Sequence, residues 1–86
     1  MYVKDLRKTA DEYNYDHYSH VCDDIDEKIQ CVADDGGYTC RYNVTEYKEG
    51  TRIYLKNYYA SNGFHTNIQT EPLYSRTNYF LFISWA

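Results

Sequence analysis

No stretch of this 86-residue sequence approaches the ~20 consecutive apolar residues of a membrane-spanning helix. Its longest apolar run, "YFLFI" at residues 79–83, has the length of one strand. Residues 1–10 lack the hydrophobic segment of a signal peptide. Proline occurs once and glycine four times, too rarely for a low-complexity chain. Cysteine occurs three times, an odd number that cannot pair completely within one chain. With no secretory segment, that count predicts reduced thiols and a cytoplasmic protein. "NVT" at residues 43–45 matches a glycosylation acceptor, which has no meaning without secretion. A glycine-rich phosphate loop and a nucleophile elbow are both absent.

Closely paired metal ligands are lacking too. His17, His20 and Cys22 lie within six residues, and Cys31 and Cys40 follow at nine-residue steps, but zinc sites use tighter pairs such as C-x2-C. The acids at 23–27 have neither the glycine nor the register of a calcium loop. Cys22 falls on an apolar stripe and Cys40 on an inward strand face, as small buried hydrophobes do. Cys22 or Cys40 pairs with His17, His20 or His65 only on paper, because a nucleophile also needs an orienting group. The expectation is a protein without cofactor or metal, and not an enzyme.

Tyrosine is what the chain has in abundance: twelve, within an aromatic content of 19%. The mean hydropathy of −0.80 scores them as polar, yet each carries a large apolar ring. A chain this aromatic folds, and its length allows one domain, residues 1–86, with a small core.

Val3, Leu6, Ala10 and Tyr13 recur at helical spacing, and Tyr18, Cys22, Ile25, Ile29 and Val32 do so again. The two stripes are about 100° out of phase at 3.6 residues per turn. Residues 2–35 therefore form either one helix bent around the core or two helices broken near residues 14–20, with Ser19 as a second N-cap. Gly36 and Gly37 end the helical region. Residues 38–44 alternate as a half-buried strand, with Tyr38, Cys40, Tyr42 and Val44 on one side. Thr45 is placed to cap a second helix, on which Tyr47, Thr51, Tyr54, Leu55 and Tyr58 share a face and which Asn62-Gly63 closes. "FHTNIQ" (64–69) reads as a polar strand, residues 70–78 as a loop, and "YFLFISW" (79–85) as a strand apolar on both faces. A strand–helix–strand crossover makes the first two strands parallel, so the most apolar strand belongs between them, antiparallel to both. The expected fold is α+β and two-layer, an N-terminal helical region followed by β-α-β-β, with a three-stranded sheet whose C-terminal strand is central.

Charge is unevenly spread. Residues 11–35 hold nine acids against Lys28, a net of −8, while the rest of the chain sums to +4. The total of −4 thus hides a polarised molecule. A dense acidic helix face either keeps a tyrosine-rich protein in solution or docks onto a basic surface by imitating the phosphates of nucleic acid. The candidate partner-binding set is Asp16, Asp23, Asp24, Asp26, Glu27 and Asp34, with Tyr13, Tyr15 and Tyr18 beside them as rigid amphipathic contacts. Ile25, Ile29 and Val32 are expected to face the core. Tyr59 is as open to an interface role as to a core one, whereas Tyr42, Tyr54 and Tyr58 read as core.

The acidic helix, the "GGYTCRYNV" strand, the helix ending "SNGF" and the terminal "FISW" (Ile83, Ser84, Trp85) together resemble a broad set of small phage-encoded proteins. That resemblance implies a phage or mobile-element origin. Small acidic proteins of this kind often block host factors, anti-CRISPR proteins among them. It implies a partner that is a host or defence protein with a basic nucleic-acid-binding surface, and neither membrane nor direct nucleic-acid binding. Two other readings stay open. One is a virion, assembly or adaptor protein, since such proteins belong to the same set. The other is a small tyrosine-rich nucleic-acid-binding domain using Arg41, Arg52 and Lys56. Exposed sheet edges permit dimerisation, and the sequence leaves the oligomeric state open.

Overall fold

The computed structural model describes residues 2–86. It begins with one unbroken helix, α1 (Val3–Asp34). No glycine or proline lies in that span, so the chain has no local reason to break near residues 14–20. Ser19 sits half-buried in mid-helix and caps nothing. The out-of-phase stripes are reconciled differently. The second stripe, from Tyr18 to Val32, packs on the core, whereas Val3, Leu6 and Tyr13 of the first stay exposed.

The end of α1 is fixed by its glycines. The N–H groups of Gly36 and Gly37 return to the carbonyls of Ala33 and Val32. Gly36 has a φ of 85°, in the left-handed region that a side chain disfavours. A Cβ on Gly37 would come within 2.5 Å of Val32 Cγ1.

The chain then forms β1 (Thr39–Asn43), α2 (Glu49–Ser61), β2 (His65–Pro72) and β3 (Thr77–Ser84). The strands make one sheet in the order β1-β3-β2, with β3 antiparallel to both neighbours. This is the α+β arrangement read from the sequence, with the C-terminal strand central. Thr45 does not cap α2, which starts three residues later with Lys48 in the capping position. The Thr45 hydroxyl instead accepts the Tyr79 N–H at 2.9 Å and ties the end of β1 to β3. The expected loop at 70–78 is mostly strand, reduced to a tight turn in which Leu73 N–H donates to Arg76 C=O at 2.7 Å. Pro72 is tolerated in β2 because that strand is an edge.

One face of the sheet carries the core. Cys40, Leu81 and Ile83 cluster with Val21, Cys22 and Ile25 of α1 and Tyr54, Leu55 and Tyr59 of α2. The other face holds Phe80 and Phe82, which lie outside that cluster. So β3 is apolar on both faces because it is central, not because both faces are covered. The two helices are pinned together by a buried polar clasp. Thr51 Oγ1 donates to Asn14 Oδ1 at 2.9 Å, and Asn14 Nδ2 donates to the Ala10 carbonyl at 2.9 Å.

Removing the Thr51 hydroxyl strands a buried acceptor. Thr51→Val is expected to lower unfolding stability by roughly 1–3 kcal/mol. Adding Asn14→Leu to Thr51→Val should recover part of that loss, since no unpaired polar group then remains. Chemical denaturation of Thr51→Val, Asn14→Leu and the double variant checks both steps, and a double variant destabilised by more than the sum of the singles would contradict the clasp.

Candidate functional site

The acidic site is built on the solvent side of α1. Asp5, Glu12, Asp16, Asp23, Glu27 and Asp34 are all exposed. Their spacing alternates seven and four residues, an eleven-residue repeat of three helical turns, so they stay on one line down the helix. At 1.5 Å rise per residue the ridge runs about 44 Å. Asp5 and Glu12 fall outside the set drawn from residues 16–34. Their signal was the repeat itself, which density of charge alone does not reveal.

Individual side chains refine the candidate set. Asp23, Asp24 and Glu27 are exposed, and Asp34 accepts from Gln30 Nε2 at 2.9 Å. Ile25 is fully buried, and Ile29 and Val32 pack against the core. Asp26 is engaged differently. The buried Tyr59 hydroxyl donates to its carboxylate at 2.7 Å and lies 3.0 Å from the Cys22 carbonyl. Asp26 thus helps fasten α2 to α1. Tyr59, left open between core and interface, is core, 2% exposed. Lys28, the lone base of the stretch, turns to the Arg41 carbonyl on β1.

The three tyrosines do not form one patch. Tyr13 lies beside the ridge and stacks on His17, centroids 4.0 Å apart. Tyr15 faces the other way, into an open groove of about 830 Å³ between α1 and α2 that Tyr54 and Tyr58 also line. Tyr58, read as core, is 37% exposed there. Tyr18 is half-buried, its ring edge-on to Tyr47 at 5.8 Å.

The open face of the sheet was not legible as a surface in "YFLFISW" by itself. Strand register sets Phe82 between Arg41 and Asn67, and Phe80 between Asn43 and Gln69. The Arg41 guanidinium lies 4.5 Å from the Phe80 ring centroid. The sign of an open face was the polar set Thr39, Arg41 and Asn43 that alternation puts on the same side. Arg52, by contrast, is occupied: it covers the Tyr79 ring at 4.0 Å and donates to the Tyr47 carbonyl.

Thiol chemistry is confined to one position. Cys22 and Cys40 are buried, as their apolar stripe and inward strand face predict, and Cys31 is exposed. Burial pushes the Cys22 thiol up to about 11, with Asp26 and Asp23 adding to the rise. Burial, followed by the bond to Asp26, also raises the Tyr59 phenol. His17 turns its Nδ1 to the Tyr13 carbonyl at 2.9 Å. Among the described residues no group of three or more His, Cys, Asp and Glu side chains is placed to hold a metal ion, and no helix is long and apolar enough to cross a membrane.

Two measurements follow from these environments. Iodoacetamide should modify Cys31 in the native protein and reach Cys22 and Cys40 only in denaturant, as intact mass would report; native modification of all three would contradict their burial. The raised Cys22 and Tyr59 values favour the protonated groups in the folded state. Their contribution is full below pH ~9, the ordinary thiol value, and is lost as the pH climbs toward about 11. The thermal midpoint should hold from pH 7 to about 9 and then fall.

No protein-family model, curated protein or solved structure matches this chain.

Proposed function

We propose that this is a binding protein of phage or mobile-element type that inhibits a host nucleic-acid-handling or defence protein by laying its acidic ridge on a basic groove. The observation that carries the reading is the unbroken line of six exposed carboxylates down α1. Such a line offers a nucleic-acid-binding groove regularly placed negative charge on a rigid rod, which speeds encounter and fixes register. Within the ridge, like charges four residues apart, such as Glu12 and Asp16 or Asp23 and Glu27, repel by tenths of a kcal/mol per pair. Tyr13 adds apolar contact at its flank. The resemblance to small phage proteins supports a host or defence factor as the partner, and the cytoplasm as the place of action.

A quadruple reversal of Asp16, Asp23, Glu27 and Asp34 to lysine tests it. Asp26 is left intact because it bonds Tyr59. Helix content should be unchanged. Basic nucleic-acid-binding proteins retained by the wild type from a bacterial lysate should be released by salt and lost, with affinity down about tenfold or more, in the reversed protein. Equal retention by both proteins would reduce the ridge to a solubility device.

One observation favours a second reading. Phe80, Phe82, Arg41 and the flanking amides form a flat aromatic face of the kind on which single-stranded bases stack. On that reading the wild type binds a labelled single-stranded oligonucleotide with an affinity that falls linearly with salt on logarithmic axes. On the ridge reading it binds none.

A further inference from the structure

The groove between α1 and α2, about 830 Å³ in volume, falls within the ~300–1,000 Å³ of ligand-sized clefts. Its aromatic wall is three tyrosines: Tyr15 from α1, and Tyr54 and Tyr58 from α2, the latter two with ring centroids 6.2 Å apart. Tyr54 lies deepest at 9% exposed, while Tyr58 at 37% and Tyr15 at 62% are open to an occupant.

Charge in the groove is sorted along α1. Lys4, Arg7 and Lys8 line it toward the start of the helix, and Asp11, Glu12 and Asp16 line it around Tyr15. Lys8 stands three and four residues before Asp11 and Glu12, within reach of both, but no lysine or arginine lies within four residues of Asp16. The field at the tyrosines is negative as well. Partial burial raises the Tyr54 and Tyr58 phenols, and Asp11 and Tyr15 near Tyr54, and Asp26, Tyr15 and Asp23 near Tyr58, add to the rise. Aromatic rings beside an unpaired carboxylate are the surroundings a cation–π site offers. A guanidinium suits them better than an ammonium, because it is planar, stacks on rings and forks onto a carboxylate. Arg52 already lies on Tyr79 in this way, 4.0 Å from the ring centroid. Lys8, seven residues before Tyr15 and thus about 10 Å back along the helix, repels a second cation, so the groove takes one.

We infer that the groove between α1 and α2 receives one arginine side chain of the basic partner, its guanidinium against Tyr15 and Tyr58 and paired with Asp16. The partner as the source of that arginine rests on the proposed function; the preference of the groove for a guanidinium does not. Glu12 and Asp16 belong to the ridge and line the groove as well, so a basic surface laid on the ridge reaches the mouth of the groove.

A blocked peptide, acetyl-Gly-Arg-Gly-amide, titrated into the full chain and followed by two-dimensional NMR, tests the groove without the partner. Salt of about 0.15 M screens the distant ridge acids. The amides of Tyr15, Asp16 and Tyr58 should shift saturably, and the lysine analogue should bind several-fold more weakly. Tyr15→Ala and Asp16→Asn should each weaken the arginine peptide several-fold with circular dichroism unchanged, because both side chains are exposed. Reversal of Asp23, Glu27 and Asp34 together to lysine should leave the peptide in the groove. If that reversed protein holds basic partners as the wild type does, the ridge falls, while saturable shifts at Tyr15 and Tyr58 still support the groove. Absence of those shifts, shifts confined to residues 23–34, or unchanged binding by the Tyr15→Ala protein overturns the inference. A lysine peptide that binds as tightly refutes the choice of arginine.

Discussion

A mismatch of lengths governs this molecule. α1 has 32 residues, about 48 Å at 1.5 Å per residue, while the eight residues of β3 span roughly 26 Å. The longest dimension of the whole protein is 46 Å, set by the helix. One small sheet cannot cover such a rod. The fold therefore spends its apolar contacts on the second half of α1, from Tyr18 to Val32, and holds the first half by the Asn14–Thr51 clasp. The exposed Val3–Leu6–Tyr13 stripe and the continuous acidic ridge both follow from that overhang.

Tyrosine substitutes for leucine in what core there is, and it brings a polar end that must be satisfied. Tyr59 shows how. Its ring fills the junction of α1, α2 and Phe64, edge-on at 5.8 Å, and its hydroxyl reaches Asp26 and the Cys22 carbonyl. No buried side-chain polar atom among the described residues is left without a partner. An 86-residue domain buries a modest fraction of its surface, so each of these bonds is a meaningful share of the stability.

Much of this was legible in the sequence where periodicity was strong and neighbours agreed. The strand alternation of residues 38–44, the apolar C-terminal strand, Gly36-Gly37 and Asn62-Gly63 specified the sheet order and the helix ends. Legibility failed where two physical demands competed for one residue. Thr45 looked like a helix cap but satisfies a strand N–H. Asp26 looked like one more surface acid but sits within reach of a tyrosine three turns into another helix. The apolar stripe of residues 3–13 reads as core by spacing, and only the finite size of the sheet shows that it has no core to enter. Phe80 and Phe82 escaped notice for the converse reason: an apolar run does not say which of its two faces is covered.

The arrangement of charge along α1 opposes the helix's own field. In its first turn Lys4 and Asp5 offset each other, so the N-terminal end gains little from its charges. Asp34 and Asp35 occupy its C-terminal end, where the last turn holds no base. That C-terminal placement costs tenths of a kcal/mol or more, and a chain shaped by stability alone would reverse it. The ridge adds internal repulsion on top. On the proposed reading, a basic surface laid against Asp23 to Asp34 would relieve both the C-terminal charge placement and the repulsion along the ridge.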